Sequence, residues 1–489
     1  MNKNVRLLVF LCCLILPLAG HAQIDSTRYK DKFDKFKQQA FDNYYEFQKK
    51  AFNDFEQFLS KAWTEYQSFS SQQSIYPTKK PEMMPSLPAQ AGVIQVEAPH
   101  NDMEGVVPER MHDQKEDDSS SNPSDWVSIS FYGRKLSFNV PKEMRVKAQG
   151  AKERHVASYH ETMRENDKST LLHKQLDAAV MLMGLNEWGY FVLLRSLSEK
   201  LFTNTNDRVL FTFYMLHHHG FKARVGRGRD SGNLILLLAL DNSKEVYSKT
   251  FFRINDTKFY VVYGNGIKGE SIYTYDEKAD DKGLKEIGLD FDKTLSIAPC
   301  DKQRKLHFNK ADMDISLPYS TAHLRYYDEI PTTVFPVYFK TPVSKEAEQA
   351  LEQTFSQLSE QYNKVQLVDI MLNFVQTAFE YKIDEQQFGR EKYFFPEEVI
   401  GLPFSDCEDR SALFAWLVKR YVGYDVVGVL YDDHLATAVC FGDEVKLPGK
   451  SVTLKGKRYV ICDPTYPNAP IGTVIPKVAN LKYEIIAIN

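Results

Sequence analysis

The run "SDCEDRSALFAWLVKRYVGYDVVGVL", residues 405–430, constrains the fold more than any other stretch of the chain. Leu413, Phe414, Trp416, Leu417 and Tyr421 recur with helical spacing behind a cluster of acids that suits a helix start. Strand-like segments follow: "YDVVGVLY", "HLATAVCF" and "KRYVICD". A helix followed by such strands predicts an α+β layer in which the helix packs on an antiparallel sheet. Ser405 with Glu408 suits a capping box, and Asp406 with Asp409 suits one less well. Cys407 then falls in the first turn, where the helix dipole favours a thiolate. Asp406, Glu408 and Asp409 oppose that effect, so an activated thiol here needs a cationic partner.

His434 is the candidate for that partner, just after the Asp432-Asp433 turn. In a strand it shares a face with Ala436, Ala438 and Cys440, and the small residues would let the sheet approach the Cys407 helix. Pro464 ends the last strand, on which Tyr459, Ile461 and Asp463 share a face. An antiparallel pairing of the two strands brings His434 near Asp463, which would orient the imidazole and steady its protonated form. In that register Cys440 lies about five residues, roughly 17 Å, from Cys462 and faces the other side of the sheet, out of disulfide reach. Cys300, Cys407, Cys440 and Cys462 are too few for a disulfide scaffold.

"SDCEDRSALFAWLVKRYVGYDVVGVL", "DDHLATAV" and "RYVICDPTY" resemble the transglutaminase-like superfamily, relatives of the papain-like cysteine proteases. The Asp-Cys-Glu-Asp run is especially similar to bacterial transglutaminase-like cysteine proteinases. The resemblance covers about the last 130 residues and implies a papain/transglutaminase-like core with Cys407 as nucleophile, His434 as base and then acid, and Asp463 as orienting carboxylate. Asp406, Glu408, Asp409 and Arg410 would support them. Ser405 stands where the family often has Gly, and Leu435-Ala436 where many members carry an aromatic residue. One oxyanion donor would be the Cys407 N–H. The second is expected from "DEQQFGREKYFFPEEV", with Gln386, Gln387 and Tyr393 as candidates. No cofactor is expected. Some relatives hold a cation beside the nucleophile, so calcium at Asp406 and Glu408 is the alternative to simple helix capping.

A second, faded copy is expected upstream. "NTNDRVLFTFYMLHHHGFKARVG" aligns with "SDCEDRSALFAWLVKRYVGYDVVG", and "NLILLLALD" and "KFYVVYG" follow as the later strands do. Thr205, Asn233 and Gly264 then stand where Cys407, His434 and Asp463 do, leaving that copy without thiol or base. His217, His218 and His219 suit a helix C-terminus before a Gly220 cap better than a metal site, since consecutive residues do not share a helix face.

Residues 33–69 carry an eleven-residue repeat with a seam of Phe33, Phe36, Ala40, Tyr44, Phe47, Ala51, Phe55, Phe58, Ala62, Tyr66 and Phe69. That period predicts one long amphipathic helix, packed on its own protein or self-associating. The domains expected are a signal peptide at 1–22, the repeat helix at 23–75, a flexible linker at 76–124, the degenerate copy at 125–300 and the catalytic copy at 301–489. Lys3, Arg6, the apolar Leu7–Leu18 core and Gly20-His21-Ala22 predict export to the periplasm or beyond. No transmembrane segment is expected. A net charge of −4 gives no reason to expect nucleic acid as a partner. The function expected is peptide or amide hydrolysis through a thioester, on a protein or peptide substrate. Transglutaminase cross-linking and a non-catalytic peptide-binding scaffold are the alternatives.

Overall fold

The structure is a computed structural model, and it describes Lys35, Gln39 and residues 55–75, 125–264, 270–275, 283–291 and 293–488. The expected signal peptide, the linker at 76–124 and most of the repeat helix lie outside the described residues. Those described form a mixed α+β fold. No helix among them is long and apolar enough to cross a membrane.

The repeat helix does not run to residue 69. Residues 55–60 are helical, and the chain then extends into β1 (Thr64–Tyr66) and β2 (Phe69–Ser70). The buried residues here are Phe55, Leu59 and Trp63, while Ala62 and Phe69 of the expected seam are exposed. Tertiary partners override the periodicity: two sheet edges supply backbone partners to β1 and β2. Phe55 stacks on His217 with ring centroids 4.3 Å apart, and Trp63 meets Tyr275 edge-on. The packing seen for this part of the stripe is therefore intramolecular.

The alternating run "WVSISFYGRKLSFNV", broken at Tyr132-Gly133 as suits a turn, forms the hairpin β3 (Trp126–Phe131) and β4 (Arg134–Asn139), with Tyr132 and Gly133 both at positive φ. Four helices follow: α1 (Glu153–Glu165), α2 (Thr170–Met183), α3 (Glu187–Leu201) and α4 (Thr205–His218). Next come β5 (Ala223–Gly228), β6 (Leu234–Ala239), β7 (Thr250–Ile254), β8 (Thr257–Gly264) and β9 (Ile272–Thr274). They build a seven-stranded antiparallel sheet, β1-β9-β5-β6-β8-β7-β2. Every residue of β6 is buried, because Leu234, Leu236 and Leu238 face the main core and Ile235, Leu237 and Ala239 a second apolar layer.

The second half opens with the hairpin β10 (Lys302–Phe308) and β11 (Met313–Tyr319). Helices α5 (Thr321–Tyr327), α6 (Phe335–Lys340), α7 (Lys345–Ser359) and α8 (Lys364–Thr377) follow. After β12 (Glu380–Tyr381), the short helices α9 (Asp384–Phe388) and α10 (Pro396–Gly401) lead to β13 (Phe404–Ser405). Helix α11 (Cys407–Leu417) then widens into a π turn, Val418–Val422, that closes at Gly423. Strands β14 (Asp425–Leu430), β15 (Leu435–Cys440), β16 (Ser451–Leu454), β17 (Lys457–Cys462) and β18 (Glu484–Ala487) form a five-stranded antiparallel sheet, β16-β17-β15-β14-β18.

The two sheets share one strand order. From the strand after the helix outward, β5-β6-β8-β7 matches β14-β15-β17-β16, and β9 and β18 lie on the other side of that first strand. One continuous core joins the layers, running from Phe55 to Ile488.

Candidate active site

Three strokes of chain bring the expected residues to one end of the second sheet. Cys407 is the first residue of α11, whose far end passes through Gly423 into β14. Asp425 pairs with Cys440 and Leu430 with Leu435, so the start of α11 lies toward the Leu430–Leu435 turn. Ser411, one helical turn beyond Cys407, donates to the Leu435 carbonyl at 3.0 Å. His434 closes that turn, its carbonyl accepting the Tyr431 N–H at 2.8 Å. Asp463 directly follows β17, which runs toward the same end.

The register differs from the simplest expectation. Thr437 pairs with Cys462, so the ladder carries Asp463 opposite Ala436, two residues from His434 and on the same face. His434 Nε2 and Asp463 Oδ2 are 3.0 Å apart, with both side chains wholly buried. The Asp463 carboxylate also accepts the N–H of Thr465 at 3.0 Å and of Ile475 at 3.1 Å. A carboxylate with these donors is held in one rotamer and favoured as the anion. His434 Nδ1 is buried and has no hydrogen-bond partner.

The thiol points elsewhere. Cys407 Sγ donates to Glu408 Oε2 at 3.1 Å. Cys407, His434 and Asp463 are each fully shielded from solvent. The small residues of β15 do not let the sheet close on α11 as expected. Ala436 and Ala438 pack on the opposite face, with Val427, Val429, Tyr459 and Ile461, while Leu435 and Val439 join the core that holds α11.

The cap on α11 is the pair Asp406 and Asp409: Asp409 Oδ2 accepts the Asp406 N–H at 3.0 Å. Ser405 belongs to β13 instead, and its hydroxyl accepts Arg410 Nε at 3.3 Å. The preceding β pairing holds Ser405 extended, which removes it from the cap. Arg410 is buried and also donates to the carbonyls of Gln376 and Phe379. Burial draws its guanidinium down to about 10, and Tyr381, Asp406 and Asp409 counter that.

Of the three loop candidates, Tyr393 is buried beside the site, and its hydroxyl accepts the Ile75 N–H at 3.3 Å. Gln386 is exposed on α9, and Gln387 turns back to donate to the Lys382 carbonyl at 2.7 Å. Neither amide is aimed at Cys407, because α9 forms a local turn capped by Gly389 at positive φ.

Sequence reasoning missed Gln376. Its Nε2 donates to the carbonyls of Asp463 at 2.9 Å and Ala469 at 3.1 Å. Asn373 donates to Asn468 in the same loop. A signal existed: two amides, three residues apart, interrupt an otherwise apolar helix face. Asp384 was missed as well, and its carboxylate accepts the Lys392 N–H at 2.7 Å.

Asp384, Asp406 and Asp409 bring one carboxylate oxygen each within 4.8 Å of one another, as do Asp384, Glu391 and Glu408. These are the residues that would hold an oxygen-liganded cation such as calcium. Backbone N–H groups of Lys392, Phe394 and Asp406 already bond to oxygens of Asp384 and Asp409.

The other cysteines do not compete for the role. All four described cysteines are free thiols. Cys462 lies in the main core and Cys440 against the opposite face, and burial raises the Cys462 thiol well above its ordinary range. Burial pushes Cys300 up to about 12.

In the first layer, Thr205 begins α4, Asn233 directly precedes β6 and Gly264 ends β8. Ile235 pairs with Gly264, as the second ladder sets Ala436 against Asp463. A Cβ on Gly264, at φ +117°, would lie 2.8 Å from the Leu234 carbonyl oxygen. The histidines at the end of α4 diverge as expected: His217 packs on Phe55, His218 bonds Asp167 at 3.1 Å and His219 meets Asp177 at 3.3 Å. No family model, curated protein or solved structure matches the chain.

Proposed function

We propose that this chain is an exported cysteine acyl-transfer enzyme with a transglutaminase-like core, acting as a peptide or amide hydrolase. The buried His434–Asp463 pair carries the reading, with its remaining ring nitrogen unbonded at the end of the sheet where α11 presents Cys407. A structural histidine would use both nitrogens, since an unpartnered buried one costs about 1–3 kcal/mol.

This chemistry requires Cys407 Sγ to leave Glu408 and come within hydrogen-bond reach of His434 Nδ1. The thiol proton passes to Nδ1, and Asp463 steadies the imidazolium through Nε2. The thiolate attacks the acyl carbonyl, and the Cys407 N–H at the start of α11 meets the resulting oxyanion. Collapse forms the thioester while Nδ1–H protonates the departing amine. Water then gives a proton to Nδ1 and hydroxide to the thioester, releasing the acid and the thiol. An amine in place of water would give cross-linking.

A second reading, a peptide-binding scaffold, is favoured by one observation: the thiol is wholly buried and bonded to a carboxylate. An electrophilic thiol probe followed by mass spectrometry separates the two. Hydrolysis predicts an adduct on Cys407 that Cys407→Ala abolishes and His434→Ala slows. Identical adducts in wild type and Cys407→Ala would remove the nucleophile.

A further inference from the structure

The segment that leaves β2 crosses from the first sheet to the loop beside Cys407. Phe69 and Ser70 pair with Phe251 and Thr250 on the edge of β7. Beyond them the Ser71 N–H and hydroxyl both donate to the Lys249 carbonyl, at 3.0 Å and 2.8 Å. Ser248 returns two bonds, its N–H to the Gln72 carbonyl at 2.8 Å and its hydroxyl to Gln73 at 2.9 Å. Ser248 holds a left-handed φ of 56°, a conformation costly for a non-glycine residue, and both its donors serve this segment. The chain then reaches Tyr393, whose hydroxyl accepts the Ile75 N–H, and Ile75 packs against the core.

Tyr393 adjoins Phe394, whose N–H is tied to Asp409 in the first turn of α11 at 2.8 Å. The Tyr393 hydroxyl bonds the Ser74 side chain as well as the Ile75 N–H, and the Glu408 carboxylate lies within electrostatic reach of it. Glu408 accepts the hydrogen bond of the Cys407 thiol. An unbroken set of contacts thus links the segment to a thiol that no solvent reaches.

Most bonds of the segment are made by backbone groups along a sheet edge, which is how an extended polypeptide is bound whatever its side chains. We infer that the β7 edge, Ser248 and the Tyr393 hydroxyl form a binding track for extended peptide, filled here by the chain's own residues 69–75. While filled, it keeps Cys407 covered. The inference rests on the reading of Cys407 as nucleophile and gives that site its substrate class. A two-residue strand, a few exposed or half-buried hydrogen bonds and the packing of Phe69 and Ile75 hold the occupant, so a peptide of better fit displaces it.

The test uses the full chain carrying Ser74→Ala and Ile75→Pro, which removes both donors to Tyr393. Iodoacetamide labelling of each cysteine is followed by mass spectrometry, with and without a synthetic peptide of residues 67–75. Loss of two hydrogen bonds predicts Cys407 labelling about tenfold faster, Cys462 unchanged, and slow labelling restored by the peptide. Equal rates in wild type and variant overturn the inference. So does a parallel rise at Cys462, which signals general loosening, or a failure of the peptide to protect. If Cys407 opens and is protected as expected yet reacts no faster than a model thiol, the track stands and the nucleophile falls.

Discussion

The two helix-on-sheet layers use the same scaffold bonds and differ at the residues that would do chemistry. Asp207, in the first turn of α4, accepts the Ala148 N–H at 2.7 Å, and Asp409, in the first turn of α11, accepts the Phe394 N–H at 2.8 Å. Arg208 donates to the Phe202 carbonyl where α3 ends, and Arg410 to the Phe379 carbonyl just past α8. Each layer also ties the first turns of its helix to the second strand after it, through Asn206 to the Leu234 N–H and through Ser411 to the Leu435 carbonyl. What separates them is Thr205, Asn233 and Gly264 against Cys407, His434 and Asp463. The Asp–Arg pair is thus a device for docking a helix on a sheet, and says nothing of activity by itself.

The sharpest way to break this comparison is to exchange nucleophile positions. Cys407→Ala is expected to lower turnover roughly 10⁴-fold or more, while Thr205→Ala leaves it unchanged, as steady-state rates on a cleaved peptide will read. His434→Asn, which copies Asn233 into the second layer, should cost about 10²–10⁴-fold in rate through loss of the base. Asp463→Asn should cost a similar factor and, by turning donors against the N–H groups of Thr465 and Ile475, about 1–3 kcal/mol of stability in urea unfolding.

The reverse exchange sharpens it. Gly264→Asp is expected to destabilise the chain by about 2–4 kcal/mol, since its backbone is left-handed and its Cβ would meet the Leu234 carbonyl. The first layer therefore cannot be repaired by Thr205→Cys and Asn233→His alone, and that double variant should show no thiol-dependent hydrolysis.

The smallest effect concerns acid. Burial pulls His173 down to about 4 and His217 to about 3, and His218 bonding holds Asp167 near 2 against its own burial. Each group binds fewer protons folded than unfolded. Their stabilisation is full above about pH 6.5 for the histidines and is lost as pH falls through 4 and 3. Hydrogen exchange at pH 4 should then open α2 and α4 before α11. Equal protection of all three helices would show that the layers unfold as one unit.

Local pattern carried much of this. The apolar spacing of α11, the alternation of β14, β15 and β17, and the Tyr132-Gly133 turn are short-range signals, and each element formed where its residues pointed. Parity along a strand was enough to place His434 and Asp463 on one face, because a register error of two residues leaves the face unchanged. The stripe at residues 55–69 misled, because spacing alone cannot tell a helix seam from aromatic residues shared between a helical turn and two edge strands. Gln376 and Asp384 went unread because their partners lie 87 and 8 residues away, and only the near one was within reach of a local motif.

The sequence by itself determined the α+β character, the helix that begins at Cys407 and the strand face that His434 and Asp463 share, all set by propensity and periodicity within single elements. Only the tertiary structure decided where the thiol proton rests, what covers the site and which loop residue borders it. Those depend on which neighbours the fold brings together, from the adjacent Glu408 to Ile75, 318 residues from Tyr393, where packing and hydrogen-bond satisfaction, not local preference, choose the partner.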